Sequence, residues 1–353
     1  MQVLSDWFRR YFSDPQVVFL SVALLLGFGV VLILGDMLAP VLASIVIAYL
    51  LEGFVAFFER LGWPRLAGVL VVFTAFLGFV VLVLVWVLPV VSRQVTELVQ
   101  QLPNIIAEGQ RALMQLPERH PEFVTAEQIQ ALIGAIRGEI IGYGQRVLTW
   151  SLGSVVGIIT LAVYLVLMPL LVFFFLKDRD LIANWFRGYL PKHRRIAGTV
   201  WQDVDRQISN YIRGKVWEVL ILWAVSYLAF YAFGLKYAML LGVLVGLSVI
   251  VPYIGATLVT VPVLLIAWFQ WGWSPELGWL ALSYFVIQAL DGNVLVPLLF
   301  SEVVNLHPVA IIVAILVFGG LWGFWGVFFA IPLATLVQAI LVAWPRPGDV
   351  QVG

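Results

Sequence analysis

The sequence predicts an all-α, polytopic transmembrane helical protein with about eight membrane segments. These include two Pro/Gly-broken helix pairs, and amphipathic helices lie outside the membrane. Of the 353 residues, 62% are hydrophobic and only 11% are charged, and the mean hydropathy is +1.02. Soluble domains carry about 25% charged residues, so lipid must solvate much of this surface. Several apolar runs approach the roughly 20 residues that a helix needs to cross a bilayer. Composition therefore excludes a water-soluble globule.

The N-terminal region, residues 1–91, is predicted to hold transmembrane spans. Its apolar runs lie at 17–35, 38–51 and 66–91. The first run is longer than the apolar core of a signal peptide and lacks a convincing cleavage site, which indicates an uncleaved span. Asp36 and Met37 separate it from the second run, which is short and is either a span with little tilt or a re-entrant segment, and the third span follows.

Two polar segments follow, on either side of a span at 149–176. In residues 92–148, apolar positions recur at helical spacing among Arg and Glu, which predicts an extracytoplasmic amphipathic helical insertion. Residues 177–215 contain nine Lys or Arg against four Asp. They predict a cytoplasmic basic amphipathic helix segment along the membrane surface.

Residues 216–345 are predicted to form a C-terminal transmembrane transport core with broken helices, followed by a cytoplasmic tail at 346–353. The core contains spans at 217–234 and 277–299 and broken apolar pairs at 237–271 and 308–344. The arms of each pair are short for full crossings. The pairs are either re-entrant hairpins or two crossings each, and both arrangements return the chain to the side that it left.

Basic residues near the span ends predict the orientation. Alternating the spans puts fourteen Lys or Arg on one side and six on the other. Cytoplasmic loops carry the excess of Lys and Arg. We therefore expect a multi-pass membrane protein with both termini in the cytoplasm.

Asp291 is the clearest candidate functional residue, because it lies deep in an apolar span. A charge at the centre of a span costs about 2.5–3.5 kcal/mol on insertion scales and is by default a functional candidate. Tyr284, Gln288 and Asp291 stand at i, i+4 and i+7, so they share one helix face, whereas Asn293 points elsewhere. Asp291 either belongs to a transport route or is a structural partner that holds helices together.

Proline and glycine interrupt the two apolar pairs and supply the second set of candidates. Proline removes an amide donor and glycine permits positive φ, so the helix leaves backbone groups that need protein or water nearby. Transporters build solute and ion sites from such groups. The alternative is an ordinary tight loop between spans. The helix-break candidates are Pro252, Gly255, Pro262, Pro297, Pro308, Gly323, Gly326 and Pro332. His307 either titrates in the route or caps a helix.

Several functions are excluded or unsupported by the residues. The chain has no cysteine, and its three histidines are scattered, so we expect no metal site and no cofactor. Motifs for ATP-driven transport, metalloproteases and serine hydrolases are absent, and we therefore expect no enzyme. Twenty basic residues balance twenty acidic ones, which gives no indication of nucleic-acid binding.

The C-terminal third resembles a known family. It reads IVPYIGATLVTVPVLLIAW and then QALDGNVLVPLLFSEVVNLHPVAIIVAILVFGGLWGFWGVFFAIPLA. The P-x-I-G break, the polar Q-x-x-acid, Pro297, the Leu306-His307-Pro308 triplet and the G-x-x-G-x₅-P ending occur in order. These motifs, and the layout of the whole chain, resemble the autoinducer-2 exporter family of bacterial PerM-like permeases. Many members have Glu where this chain has Asp291, so the reach of the charge differs here.

The resemblance implies secondary transport by a homo-oligomer with mobile hairpins. Family members are associated with export of the quorum-sensing signal autoinducer-2 or with Na⁺(Li⁺)/H⁺ antiport. We accordingly expect a permease of the bacterial cytoplasmic (inner) membrane that exports a small polar solute such as autoinducer-2 by alternating access. A Na⁺(Li⁺)/H⁺ antiporter is the first alternative and a non-transporting membrane scaffold is the second. The expected partners are the lipid bilayer, the solute, Na⁺ or H⁺ as an open further partner, and further copies of the chain.

Overall fold

The computed structural model describes residues 15–114, 155–188, 195–252, 254–300 and 306–343, together with Gly134, Gly138 and Gly142. Within these residues the chain forms helices and turns and contains no strand, which confirms the all-α prediction. In chain order the helices are α1 (Pro15–Arg60), α2 (Arg65–Leu82), α3 (Leu88–Met114), α4 (Val155–Lys177), α5 (Arg179–Gly188), α6 (Arg195–Ala232), α7 (Ala238–Ser248), α8 (Ile254–Trp271), α9 (Pro275–Leu290), α10 (Val296–Phe300), α11 (Pro308–Phe328) and α12 (Ala330–Ala343), with π-helical turns at Val83–Val87 and Asp291–Leu295.

Five helical segments of the described chain are long and apolar enough to cross a membrane. They are Met37–Arg60, Arg65–Arg111, Gln207–Ala232, Ile254–Trp271 and Pro275–Phe300. Shorter apolar helical segments accompany them at Val163–Lys177, Ala238–Ser248, Pro308–Gly323 and Ala330–Ala339. This mixture of long and short apolar helices is the one expected of a polytopic membrane protein with broken helix pairs.

The first difference from the sequence prediction is that α1 is one helix of 46 residues where two spans were expected. A lone Asp36 and the proline at position 40 do not stop it, because neighbouring groups can satisfy a backbone freed by proline in an apolar helix. Such a helix is roughly 70 Å long, more than twice the hydrocarbon thickness of about 30 Å. One continuous helix therefore replaces the two separate spans on which the predicted alternation of sides depends.

At two further points the sequence changes between apolar and polar composition, but the helix continues. The third span runs through the π-helical turn into α3, which carries the beginning of the amphipathic insertion. Helix α6 likewise joins the basic segment to the fifth span without a break. The rest of the insertion lies outside the described residues, apart from its three glycines.

The chain divides into two compact units. Unit 1 comprises residues 1–75, 164–218 and 293–353, and unit 2 comprises 76–163 and 219–292. The core of unit 1 joins α6, α11 and α12 through buried residues that include Tyr211, Ile212, Ile311 and Ala330. The core of unit 2 gathers buried side chains of α6 to α9 and the segment 235–237. Its members are Phe230, Leu235, Tyr237, Ala238, Leu240, Leu241, Val245, Val259, Val263, Ile266, Ala267, Leu280 and Tyr284.

In unit 2, the first predicted helix pair is a hairpin of α7 and α8. Pro252 lies in the turn, and Gly255 is buried in the first turn of α8. A methyl group at Gly255 would lie 1.7 Å from the carbonyl oxygen of Ser248, so the arms approach backbone to backbone. Helix α7 has 11 residues and is about 16 Å long, roughly half the hydrocarbon thickness. Pro262 does not interrupt the pair, because α8 continues through it to Trp271.

In unit 1, the chain of the second pair reverses direction at Gly323, a kink inside the range given for α11. This residue has φ 56° and ψ −131°, which are not helical values and which favour glycine. Gly326 is buried, and a methyl group there would lie 1.8 Å from the carbonyl oxygen of Phe318. Pro308 and Pro332 lie in the first turns of α11 and α12, where a missing amide donor costs no helical hydrogen bond. Both hairpins thus depend on a glycine that faces a carbonyl oxygen of the preceding arm.

We expect Gly255→Ala and Gly326→Ala to destabilise the protein, because each added methyl group overlaps a backbone oxygen that cannot rotate away. Forced backbone shifts in packed regions cost about 1–3 kcal/mol. Thermal unfolding of the purified full chain in detergent measures the effect.

Gly278→Ala and Gly320→Ala are matched controls for the two hairpin substitutions. Nothing lies within 4 Å of a methyl group at either position, and both glycines are helical. Equal melting temperatures for the hairpin and control variants would contradict the close approach of the arms.

Candidate functional site

The predicted polar stripe of α9 forms a hydrogen-bonded chain in unit 2. Tyr284 is completely buried, and its hydroxyl group accepts a hydrogen bond from Gln288 Nε2 at 2.8 Å. The same hydroxyl lies 3.0 Å from Thr260 Oγ1 of α8, and Thr260 Oγ1 donates to the carbonyl oxygen of Ala256 at 2.7 Å. The helical spacing therefore identified Tyr284 and Gln288 as neighbours, and the fold adds Thr260 to them.

Thr260 is the member of this hydrogen-bonded group that the sequence does not predict. It stands in an apolar helix that also contains Thr257, and threonines are unremarkable there by composition. Only the packing of α8 against α9 brings its hydroxyl to Tyr284. The contact links the first hairpin directly to the polar stripe.

Asp291 begins the π-helical turn that follows α9. Its backbone N–H donates to the carbonyl oxygens of Ile287 and Gln288, and its side chain is half-buried. Tyr284 and Gln288 lie in α9 and Asp291 is the first residue of the wider turn, so the spacing between the three remains α-helical and places them on one face. π-Helical turns occur frequently at functional sites. The carboxylate therefore lies in the region of the span where the helix departs from regular geometry.

The π-helical turn also explains how the span accommodates Pro297. A proline ring normally clashes with the carbonyl group four residues earlier, which here belongs to Asn293. Asn293 lies inside the wider turn, so the chain avoids the clash without breaking the helix. Asn293 is exposed and belongs to unit 1, whereas Asp291 belongs to unit 2.

His307 caps a helix in unit 1. Its Nδ1 accepts a hydrogen bond from the backbone N–H of Val309 at 3.3 Å, at the start of α11. The side chain is exposed. This geometry corresponds to the capping alternative of the sequence analysis.

Unit 1 contains two charged groups that the sequence analysis did not select. Glu52 is buried near the end of α1, where Arg65 Nη2 lies 3.1 Å and Arg179 Nη1 lies 2.8 Å from its carboxylate oxygens. In α6, Lys215 Nζ lies 2.6 Å from Glu218 Oε2, and both side chains are buried. Lys215 and Glu218 stand at the border between the basic segment and the predicted span. The sequence places Lys215 in the basic segment 177–215 and Glu218 in the predicted span 217–234.

The polar groups divide into three kinds. The Glu52 cluster joins the ends of helices α1, α2, α4 and α5, because Arg65 also donates to the carbonyl oxygen of Leu176 at 2.7 Å. The Lys215–Glu218 pair lies within one helix. The polar stripe offers an amide, one hydroxyl group and a carboxylate, and Thr260 of α8 adds a second hydroxyl group; such groups suit hydrogen bonding to a polar solute. Among the described residues, no group of three or more His, Cys, Asp or Glu is placed to hold a metal ion.

Comparison with known proteins identifies the family. The model of the family described as "AI-2E family transporter" matches residues 20–346. PerM of Escherichia coli (strain K12) is 46% identical over 345 residues, which cover 98% of each chain. YrrI of Bacillus subtilis (strain 168), named as a transport protein, is 29% identical over 89% of this chain and 88% of its own.

A more distant relative has a substrate in its name. The AI-2 transport protein TqsA of Escherichia coli (strain K12) is 23% identical over 91% of this chain and 92% of its own. The family match spans nearly the whole sequence, and PerM shows high identity over the same extent. The protein is thus an integral membrane protein and belongs to the AI-2E family of transporters.

Proposed function

We propose that the protein is a secondary transporter that moves a small polar solute across the bacterial cytoplasmic membrane by alternating access. The observation that carries the proposal is the position of Asp291. It stands at the start of a π-helical turn within an apolar candidate span and shares a helix face with the hydrogen-bonded pair Tyr284 and Gln288. Lipid would penalise such a face, so protein or water must cover it.

The hairpin of α7 and α8 supplies a moving part for this mechanism. Thr260 of α8 is hydrogen-bonded to Tyr284 of α9, so a displacement of the hairpin changes the hydrogen bonds available on the stripe. The 11-residue arm α7 is short for a full crossing, whereas α8 is long enough for one, and the turn at Pro252 joins them. Such a broken pair fits a hairpin that moves as a body. Access to the stripe and the position of the hairpin would then change together.

We assign a small, hydroxyl-rich or amide-like solute to this route, with autoinducer-2 as the first candidate. The name of the relative TqsA supports the candidate, and so do the neutral hydrogen-bonding groups of Gln288, Tyr284 and Thr260.

Export is the proposed direction. Charge distribution supports a cytoplasmic location for the basic segment 177–215 and for the turn that contains Arg60 and Arg65. A homo-oligomer completes the proposal and rests on the family resemblance.

One observation favours a second candidate, Na⁺(Li⁺)/H⁺ antiport. Asp291 is a carboxylate within a candidate span, and such groups bind cations and relay protons in transporters. The two functions separate in proteoliposomes that contain no organic solute. Dissipation of an imposed pH gradient on addition of Na⁺ or Li⁺ indicates the antiporter, whereas autoinducer-2 flux without that response indicates the exporter.

The first test of the route is Asp291→Asn, which keeps the size of the side chain and removes its charge. We expect solute flux in proteoliposomes to fall by about tenfold or more, which corresponds to about 1.4 kcal/mol of lost stabilisation. Glu276→Gln is the matched control, because it makes the same chemical change at the exposed start of the same helix. Unchanged flux and unchanged pH and Na⁺ dependence in a folded Asp291→Asn protein would show that the carboxylate has no transport role.

The second test measures the link between the hairpin and the stripe. We expect Thr260→Val and Tyr284→Phe to lower stability together by less than the sum of their separate effects, because each removes the same hydrogen bond. The coupling energy should be about 0.5–1.5 kcal/mol. Chemical denaturation of the two single variants and the double variant yields this energy. Additive effects would mean that the two hydroxyl groups do not interact.

A further inference from the structure

The Lys215–Glu218 ion pair lies in an unusual place. Both residues belong to α6, inside the candidate span Gln207–Ala232, and their side chains are only 7% and 3% exposed. Taking an isolated charge out of water costs several kcal/mol even after relaxation. The contact between Nζ and Oε2 joins positions i and i+3 of one helix, so this contact does not itself tie α6 to another helix.

Two aromatic rings surround the same ammonium group. Lys215 Nζ lies 5.2 Å from the centre of the Phe300 ring and 6.0 Å from the centre of the Tyr211 ring. The faces of aromatic rings attract cations, and sets of rings recognise ammonium groups. The Glu218 carboxylate and the rings of Tyr211 and Phe300 therefore form a buried environment that suits a single positive charge.

The backbone of α6 is shaped to allow this arrangement. A methyl group at Gly214 would lie 2.8 Å from a ring carbon of Phe300. The absence of a side chain at 214 thus lets the ring approach the helix next to Lys215. The Tyr211 and Phe300 rings also contact each other, with centroids 5.8 Å apart. The position of both rings is accordingly fixed by packing within unit 1.

We propose that Glu218, Tyr211 and Phe300 form a binding site for a small monovalent cation, and that the Lys215 ammonium group occupies it as a tethered cation. The lysine has a flexible four-carbon stem, so its ammonium group can leave the site while the chain stays in place. When the ammonium group leaves, the carboxylate and the two ring faces remain and can attract a free cation. The site therefore takes a free cation from solution whenever Lys215 is absent or displaced.

The test removes the tethered cation and supplies free ones. The full chain is purified as wild type, Lys215→Gln, and the double variant Lys215→Gln with Glu218→Gln. Melting temperatures are measured in NaCl, KCl and methylammonium chloride, with N-methylglucamine chloride holding the ionic strength constant. A ligand that binds only the folded state stabilises it according to its concentration relative to Kd.

We expect the melting temperature of Lys215→Gln to rise by about 3 °C or more with at least one of the three cations. The wild type should not respond, because Lys215 fills the site, and the double variant should not respond, because the carboxylate is gone. Lys236→Gln is the matched control, since it removes an exposed lysine outside the site. Potassium and methylammonium should stabilise more than sodium does, because aromatic faces favour weakly hydrated cations.

Two results would overturn the proposal. One is a Lys215→Gln protein that folds and melts at the same temperature in every salt, or that responds no more than the double variant. The other is a Lys215→Gln protein that fails to fold in all three cations while the double variant folds, because a cation site would be rescued by its ligand. The measurement involves neither the solute nor Asp291, so its failure is distinguishable from failure of the proposed transport function.

Discussion

The hydrocarbon interior of a membrane offers no water to backbone groups, and this constraint determines how the chain can be broken. Where a helix is interrupted, other protein groups or a water-filled cavity must therefore satisfy the backbone N–H and C=O groups. At the start of α7, the backbone N–H of Leu240 donates to Gln94 Oε1 at 2.8 Å. At the start of α11, His307 accepts from Val309. Where the two arms of a hairpin reverse, a glycine such as Gly255 lets one arm reach the backbone of the other.

The same constraint applies to charged side chains, and three carboxylates of the described residues lie in three different environments. Glu52 is neutralised by arginines from other helices, which ties helix ends together. Glu218 is neutralised by Lys215 of its own helix, beside aromatic rings. Asp291 begins a π-helical turn, where the change in helical geometry accompanies the charge. The first arrangement ties helix ends together, and the second and third belong to the sites at which we propose ligands.

Sequence reasoning succeeded where the relevant property is local. The all-α membrane class follows from composition, and the shared face of Tyr284 and Gln288 follows from helical spacing, since both residues precede the π-helical turn. The turn at Pro252 and the reversal at Gly323 follow from the backbone preferences of proline and glycine. These features need no knowledge of tertiary contacts.

The wrong helix boundaries share one cause, because each treats a change in composition as the end of a helix. The chain becomes polar after the third span, yet the helix continues, because hydrogen bonding along the backbone does not depend on side-chain polarity. Asp36 likewise does not end α1. Thr260 and the Lys215–Glu218 pair acquire their significance from packing against other helices, and single positions in apolar or basic sequence carry no signal of it.

The proposed transport function requires that the polar face of α9 border a water-accessible route. Because the chain contains no cysteine, single substitutions report on each face without background. Gln288→Cys and Asp291→Cys lie on the proposed route, and Leu290→Cys lies on an exposed apolar face of the same helix. In membrane vesicles, a hydrophilic thiol reagent should modify the first two variants and spare the third, and autoinducer-2 should slow the modification. Equal protection of all three positions from the reagent would contradict a solute route along this face.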